Sequence, residues 1–217
     1  TRSGEGLRPS GLRTLPRHRR ANLLRYWMQQ RGLAMPSERR LDDWLRQLDS
    51  KRDNQNIVLS LGPDQPSLRC YRDVLYIVPQ CVSWAPRSWA AATPAQVDLG
   101  AAGCVMFEPS DDADAVRLPR AGEVWSLRPR RAGDRIALSA RSGHVSLKNV
   151  MQNAGVPPWL RDMWPLLICD NQVAAVAGVA TAFAYKVPGA SEDSGSGLTA
   201  RQSLGTRLQW KPAWQSS

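Results

Sequence analysis

The sequence predicts an α+β fold in two parts: a helical hairpin packed on a small antiparallel sheet, then a β-rich α+β domain with one main helix. Three observations predict it. Leu41, Trp44, Leu45 and Leu48 stand at i, i+3, i+4 and i+7, one face of a helix. Residues 68–78 change to strand composition around a central Arg72-Asp73, the pattern of a hairpin. Beyond residue 123, short strand-like runs recur around one further helical stripe, Leu147, Val150, Met151 and Ala154. Helices first and strands later is an α+β order, because alternation would instead suggest a parallel sheet.

In chain order, residues 1–10 are rich in Gly, Arg and Ser and are expected to be mobile. Residues 16–31 read as a helix with Leu23, Leu24, Trp27 and Met28 on one side and His18, Asn22, Arg25 and Gln29 on the other, ended by Gly32. Pro36-Ser37 opens a second helix with Ser37 as N-cap, and Asp42 is placed to pair with Arg46 one turn on. Strands follow over 56–61, 68–71 and 74–78. Residues 80–122 read as a connecting region: 105–107 could form a strand, while 90–103 and the acidic 110–114 read as loops.

The second domain, 123–217, begins with two strand runs either side of a turn at Ala132-Gly133-Asp134. The helix from Leu147 stops at Gly155, a C-cap position, and Pro157-Pro158 forbid continuation. Leu166-Leu167-Ile168 reads as a buried strand, Asn171-Gln172 as a hairpin turn and 173–181 as a strand crowded with small residues. The Gly/Ser-rich, acidic 187–200 reads as a disordered loop, and the alternating 207–210 as an edge strand.

Composition excludes several classes of protein. No run approaches the ~20 apolar residues of a membrane span, and no cationic start leads into an apolar secretory segment. Cys70, Cys81, Cys104 and Cys169 have no zinc-ligand spacing and sit in or beside apolar runs, which fits reduced, buried thiols in a cytoplasmic protein. The chain opens on Thr1 and not Met, which fits a piece of something longer. The net charge of +10 is uneven: residues 1–40 hold ten Arg against two acids, and 121–160 hold six bases against two acids. Two basic blocks around an acidic middle favour a polyanionic partner, since each neutralised phosphate releases counterions.

The ordered strings S-L-K, G-V-P-P-W-L-R, W-P-L-L-I and V-A-A-V-A-G-V over 146–179 resemble the C-terminal domain of the bacterial tRNA(Ile)-lysidine synthetases. R-R-A-N-L-L-R-Y-W, M-P-S-E-R-R-L-D-D and R-C-Y-R-D-V-L-Y, within residues 7–79, resemble the substrate-recognition domain of the same family, with Asp73 where the family's turn carries Gly. The resemblance implies a domain division at 1–79 and 123–217. It implies a parent carbon–nitrogen ligase that attaches lysine to the wobble cytidine of the isoleucine tRNA with a CAU anticodon, consuming ATP through an adenylated cytidine. Such chemistry needs a phosphate-cradling loop of the S-G-G-x-D-S type, and neither that loop nor a G-x-x-x-x-G-K string is present. This chain is therefore expected to be inactive alone and to bind no cofactor. ATP and Mg2+ would belong to a missing catalytic domain.

The residues expected to bind tRNA are the basic ones. Arg128, Arg130, Arg131 and Arg135 surround a single turn, Lys148 lies on the outward side of the next helix, and Arg161 follows Trp159. In the first domain Arg17, Arg19 and Arg25 are the exposed candidates. Arg suits phosphate because its planar fork donates two hydrogen bonds. Against this stands a structural reading, in which some are surface charges and Arg161 anchors Asp162 or a carbonyl. No catalytic or metal-ligating set is expected: His144 near Ser142 and Ser146 has no acidic orienter, and Asp111, Asp112 and Asp114 lack the Gly and Glu of a calcium loop. Two other classes stay open at this point, a stand-alone basic RNA- or DNA-binding module and a protein-interaction domain using its Trp-rich surface.

Overall fold

The computed structural model describes residues 7–50, 57–62, 65–78, 83–90, 93–141, 143–187 and 205–213. The chain divides into two compact units, Thr1–Cys81 and Val82–Ser217.

The first unit is built from α1 (Pro9–Arg13), α2 (Arg17–Gln29), α3 (Glu38–Ser50) and the strands β1 (Ile57–Ser60), β2 (Ser67–Tyr71) and β3 (Val74–Val78), antiparallel in the order β1-β2-β3. Ser37 caps α3 as expected: the Arg40 N–H donates to its Oγ at 3.4 Å. The predicted stripe Leu41, Trp44, Leu45 and Leu48 is wholly buried and shares one core with Leu24, Trp27 and Met28 of α2 and Ile57, Leu59 and Leu68 of the sheet. Leu23, read as part of that face, is 37% exposed. Asp42 does not pair with Arg46. It takes Arg17 of α2 at 2.9 Å, and Arg46 turns to Asp43.

Arg72 and Asp73 both have positive φ, 46° and 59°, the backbone of a type I′ hairpin turn. Asp73 departs from the favoured Gly, and its carboxylate accepts hydrogen bonds from the Ser10 N–H, at 2.8 Å, and the Ser10 hydroxyl. That contact, with Leu7 bridged to Leu75, corrects the expectation of a mobile start for the described residues 7–10.

In the second unit, residues 83–119 do more than connect. β4 (Arg87–Ala90) pairs with β7 (Val124–Pro129), and β6 (Cys104–Ser110) lies between β5 (Gln96–Asp98) and β13 (Gly205–Lys211). The missed strand β5 is three residues long and hides in an Ala/Gly-rich stretch without alternation. Gly103 before β6 is obligatory: its φ is 92°, and a Cβ there would stand 2.1 Å from the Lys211 carbonyl oxygen.

The central sheet has the order β12-β11-β10-β7-β4. β10 (Pro165–Cys169) is buried at every position, which explains its continuous apolar run. Its hairpin to β11 (Gln172–Val176) turns on Asp170-Asn171, φ 46° and 67°, one residue before the expected Asn171-Gln172. The run read as a single strand to 181 is broken by a turn at Ala177–Val179 before β12 (Ala180–Thr181). A register shift opposite Leu167/Ile168 leaves Ala174 without a partner on β10, and its carbonyl accepts the Ala182 N–H at 2.8 Å, continuing the pairing of β11 with β12.

β7 does not form a hairpin with β8 (Arg135–Ile136), which pairs instead with β9 (Val145–Ser146). α4 (Leu147–Asn153) buries Leu147 and Met151 but leaves Ala154 exposed. It ends in a Schellman motif: Val156 N–H donates to the Met151 carbonyl at 2.8 Å and Gly155 N–H, φ 79°, to that of Gln152 at 3.1 Å. α5 (Pro158–Arg161) follows. The expected loop at 187–200 lies, apart from buried Val187, outside the described residues.

Candidate nucleic-acid interface

The basic turn of the second unit is organised by one carboxylate. Pro129 ends β7, Gly133 adopts φ 87°, and the chain returns through Asp134. Arg128 lays its fork on Asp134 with two hydrogen bonds of 2.8 Å, and the Arg131 N–H donates to the same carboxylate at 2.7 Å. Burial pushes the Asp134 carboxyl up. The bonds from Arg128 and Arg131, with the charges of Arg128 and Arg130, outweigh that and hold it below the usual range. The Asp134 carbonyl accepts the Leu147 N–H at 3.1 Å, so the turn is tied to the first residue of α4.

This geometry sorts the six candidates of the second unit. Arg131 and Lys148 are exposed and have no ion pair among the described residues. Arg135 is exposed and donates to the His144 carbonyl. Arg130 is largely covered and pairs with Asp162. The reading of Arg128 as a free phosphate fork is corrected, since its side chain is only 12% exposed and both arms are spent on Asp134. Of the two readings of Arg161, the geometry is that of the anchor: it is 8% exposed, and its Nε donates to the Val156 carbonyl at 2.9 Å. Arg131, Arg135 and Lys148 thus stay exposed around the turn, while Arg128, Arg130 and Arg161 are drawn to Asp134, Asp162 and the Val156 carbonyl.

In the first unit Arg17, Arg19 and Arg25 all lie on α2, a helix whose thirteen residues include no carboxylate. Arg17 pairs with Asp42, while Arg19 is exposed and Arg25 half-buried, neither with an ion pair among the described residues. Arg17, Arg39 and Arg46 line a shallow depression beside the Ser37 cap. Neither Arg39 nor Arg46 is among the expected tRNA contacts, because the stripe of α3 draws attention to its buried face and the sequence assigns Arg46 to Asp42. Tyr26 is not among them either, although it stands seven residues after Arg19 on the polar side, and it is 60% exposed.

Among the described residues one group has the donors to hold a cation, Glu123, Cys169 and Asp170, but the Glu123 carboxylate is occupied. Glu123 accepts two bonds from Arg117, at 2.8 and 2.6 Å, with further bonds from the Arg120 N–H and the Trp125 indole. The Arg117 guanidinium, foremost among these, brings the Glu123 carboxyl down to about 2. Arg117 in turn lies against the rings of Trp125 and Tyr185, and burial pushes the Tyr185 hydroxyl up to about 12. These groups close the end of the central sheet. Cys70, Cys104 and Cys169 form no disulfide, and Cys81 and Ser142 lie outside the described residues. No described helix is long and apolar enough to cross a membrane.

Known proteins resemble this chain in both units. The family profile of the TilS substrate binding domain matches residues 7–76, and that of the TilS substrate C-terminal domain matches 125–194. A tRNA(Ile)-lysidine synthase of Methylococcus capsulatus is 33% identical over 72% of this chain and 35% of its own length. One from Alkalilimnicola ehrlichii is 34% identical over 82% of this chain and 40% of its own. The chain therefore spans well under half the length of these relatives. A crystal structure of a TILS C-terminal domain overlaps 59% of this chain and 98% of its own at 21% identity and a TM-score of 0.39, too loose a superposition to argue from.

Proposed function

Because the chain belongs to the TilS family and carries its substrate-binding and C-terminal domains, we propose that it is the tRNA-holding part of an ATP-dependent ligase that converts the wobble cytidine of the CAU-anticodon isoleucine tRNA to lysidine. The observation that carries this reading is the pairing of the two family matches with exposed basic side chains in each unit: Arg131, Arg135 and Lys148 in one, Arg17 and Arg19 in the other. Arg and Lys on phosphates fix the register of a nucleic acid, which is the task of a domain that presents one base to chemistry done elsewhere. ATP, Mg2+ and lysine are then ligands of a catalytic domain outside this chain, and the whole protein works in the cytoplasm.

The test uses the 217-residue chain with a transcript of the CAU isoleucine tRNA. It is expected to retain the transcript on a filter and to leave it chemically unchanged in the presence of ATP, Mg2+ and lysine. Adenylation of the transcript would place catalysis within this chain, and failure to bind any tRNA would remove the reading.

A further inference from the structure

The outward face of α2 has the makings of a binding surface that phosphate contacts alone do not use. Leu24, Trp27 and Met28 face the core. At 3.6 residues per turn, Tyr26 falls on the side opposite Leu24 and Met28. Among the described residues it is the most exposed of the large hydrophobic side chains, at 60%, and its ring and hydroxyl have no partner there. Arg19 lies two turns earlier on the same side, about 10 Å along the axis at 1.5 Å per residue, with exposed Asn22 between them.

The charge around this ring names its partner. The other two arginines of the first two turns have carboxylates on α3, Arg17 with Asp42 and Arg20 with Asp49. Arg19 has none among the described residues, and α2 itself supplies no acid. A protein partner would call for an apolar surround, and the other exposed large hydrophobic on α2 is Leu23, at 37% exposure. An exposed aromatic ring two turns from a guanidinium on the same side of the helix fits an unpaired nucleotide and its strand, in which the base stacks while a phosphate further along meets the cation. We propose that Tyr26 is the stacking platform for an unpaired base of the RNA that this chain holds, with Arg19 on the phosphate backbone of the same strand. The proposal rests on the tRNA-binding reading and adds to it a contact that is not electrostatic.

The experiment compares the chain with Tyr26→Ala, Tyr26→Phe and Arg19→Ala for binding of a tRNA transcript across a salt series. Tyr26→Ala keeps the fold, since Ala is the better helix former and the site is exposed, and thermal unfolding checks this. It is expected to weaken binding about 5- to 150-fold, the range of one lost stacking contact, with the salt slope unchanged. Tyr26→Phe, which keeps the ring, is expected to bind like the parent chain. Arg19→Ala is expected to lower the salt slope by about 0.7–0.9. If the parent chain binds tRNA and Tyr26→Ala binds equally well, the platform is refuted while the tRNA reading stands, and the face belongs to a protein contact. If Tyr26→Phe loses as much as Tyr26→Ala, the contact is through the hydroxyl and stacking is refuted. A parent chain that binds no tRNA overturns both.

Discussion

Arg128 and Arg131 stand three residues apart and have opposite tasks, which their burial decides. The Arg128–Asp134 pair is 12% exposed on both sides and organises the turn, whereas the Arg131 side chain points to solvent. Arg128→Ala leaves the Asp134 carboxylate short of its two best donors. It is expected to cost at least about 1–3 kcal/mol in urea unfolding, as for a covered charged group that loses its partner. Arg131→Ala is expected to stay within about 0.5 kcal/mol. Equal costs for the two would mean that the turn is not built on Asp134. Glu123 gives the unit an acid dependence of known sign. Its carboxyl lies at about 2 in the fold against an ordinary 4.5, so its contribution is complete above 4.5 and is lost as the pH falls toward 2. The stability gap between the parent chain and Glu123→Gln is therefore expected to narrow across that window. A gap that is constant from pH 5 to 2 would show that Arg117 does not hold the carboxylate charged.

At the scale of elements, the sequence was most legible where one face alone is buried. The stripe of α3 and the cap at Ser37 stand as read, because a helix that meets one core must repeat its apolar residues at helical spacing. Leu48, 3% exposed, anchors that stripe. Leu48→Ala is expected to cost ~2–5 kcal/mol, and a loss below ~0.5 kcal/mol would mean that α3 does not close this core. Legibility failed where an element depends on distant partners. β5 pairs only with β6, and β8 pairs with β9 rather than with β7, a ladder that the bond from the Leu147 N–H to the Asp134 carbonyl extends by one step. Turn positions failed more narrowly. Asp170-Asn171 won over Asn171-Gln172 because both short polar residues accept positive φ, which Gln tolerates less well.

At the scale of the whole molecule, the charge asymmetry was legible and the sorting of its members was not. The partners that withdraw Arg128, Arg130 and Arg161 from the surface are Asp134, Asp162 and a carbonyl at Val156, and only the fold brings the Arg130–Asp162 pair together across 32 residues. The surface that remains makes a sharper prediction than a block of six bases. If Arg131, Arg135 and Lys148 each meet a phosphate, replacing all three by Ala should flatten the slope of log K against log salt by about 2–3, at 0.7–0.9 per contact. Arg128→Ala should leave that slope alone in whatever fraction of the chain stays folded, because its charge is already matched by Asp134. Circular dichroism on each variant separates lost binding from lost structure, since Arg stems also pack. Should the triple variant keep both affinity and slope, the turn is scaffold only, and the electrostatic grip on RNA must come from α2, where Arg19 and Arg25 are the cations without an acid partner among the described residues.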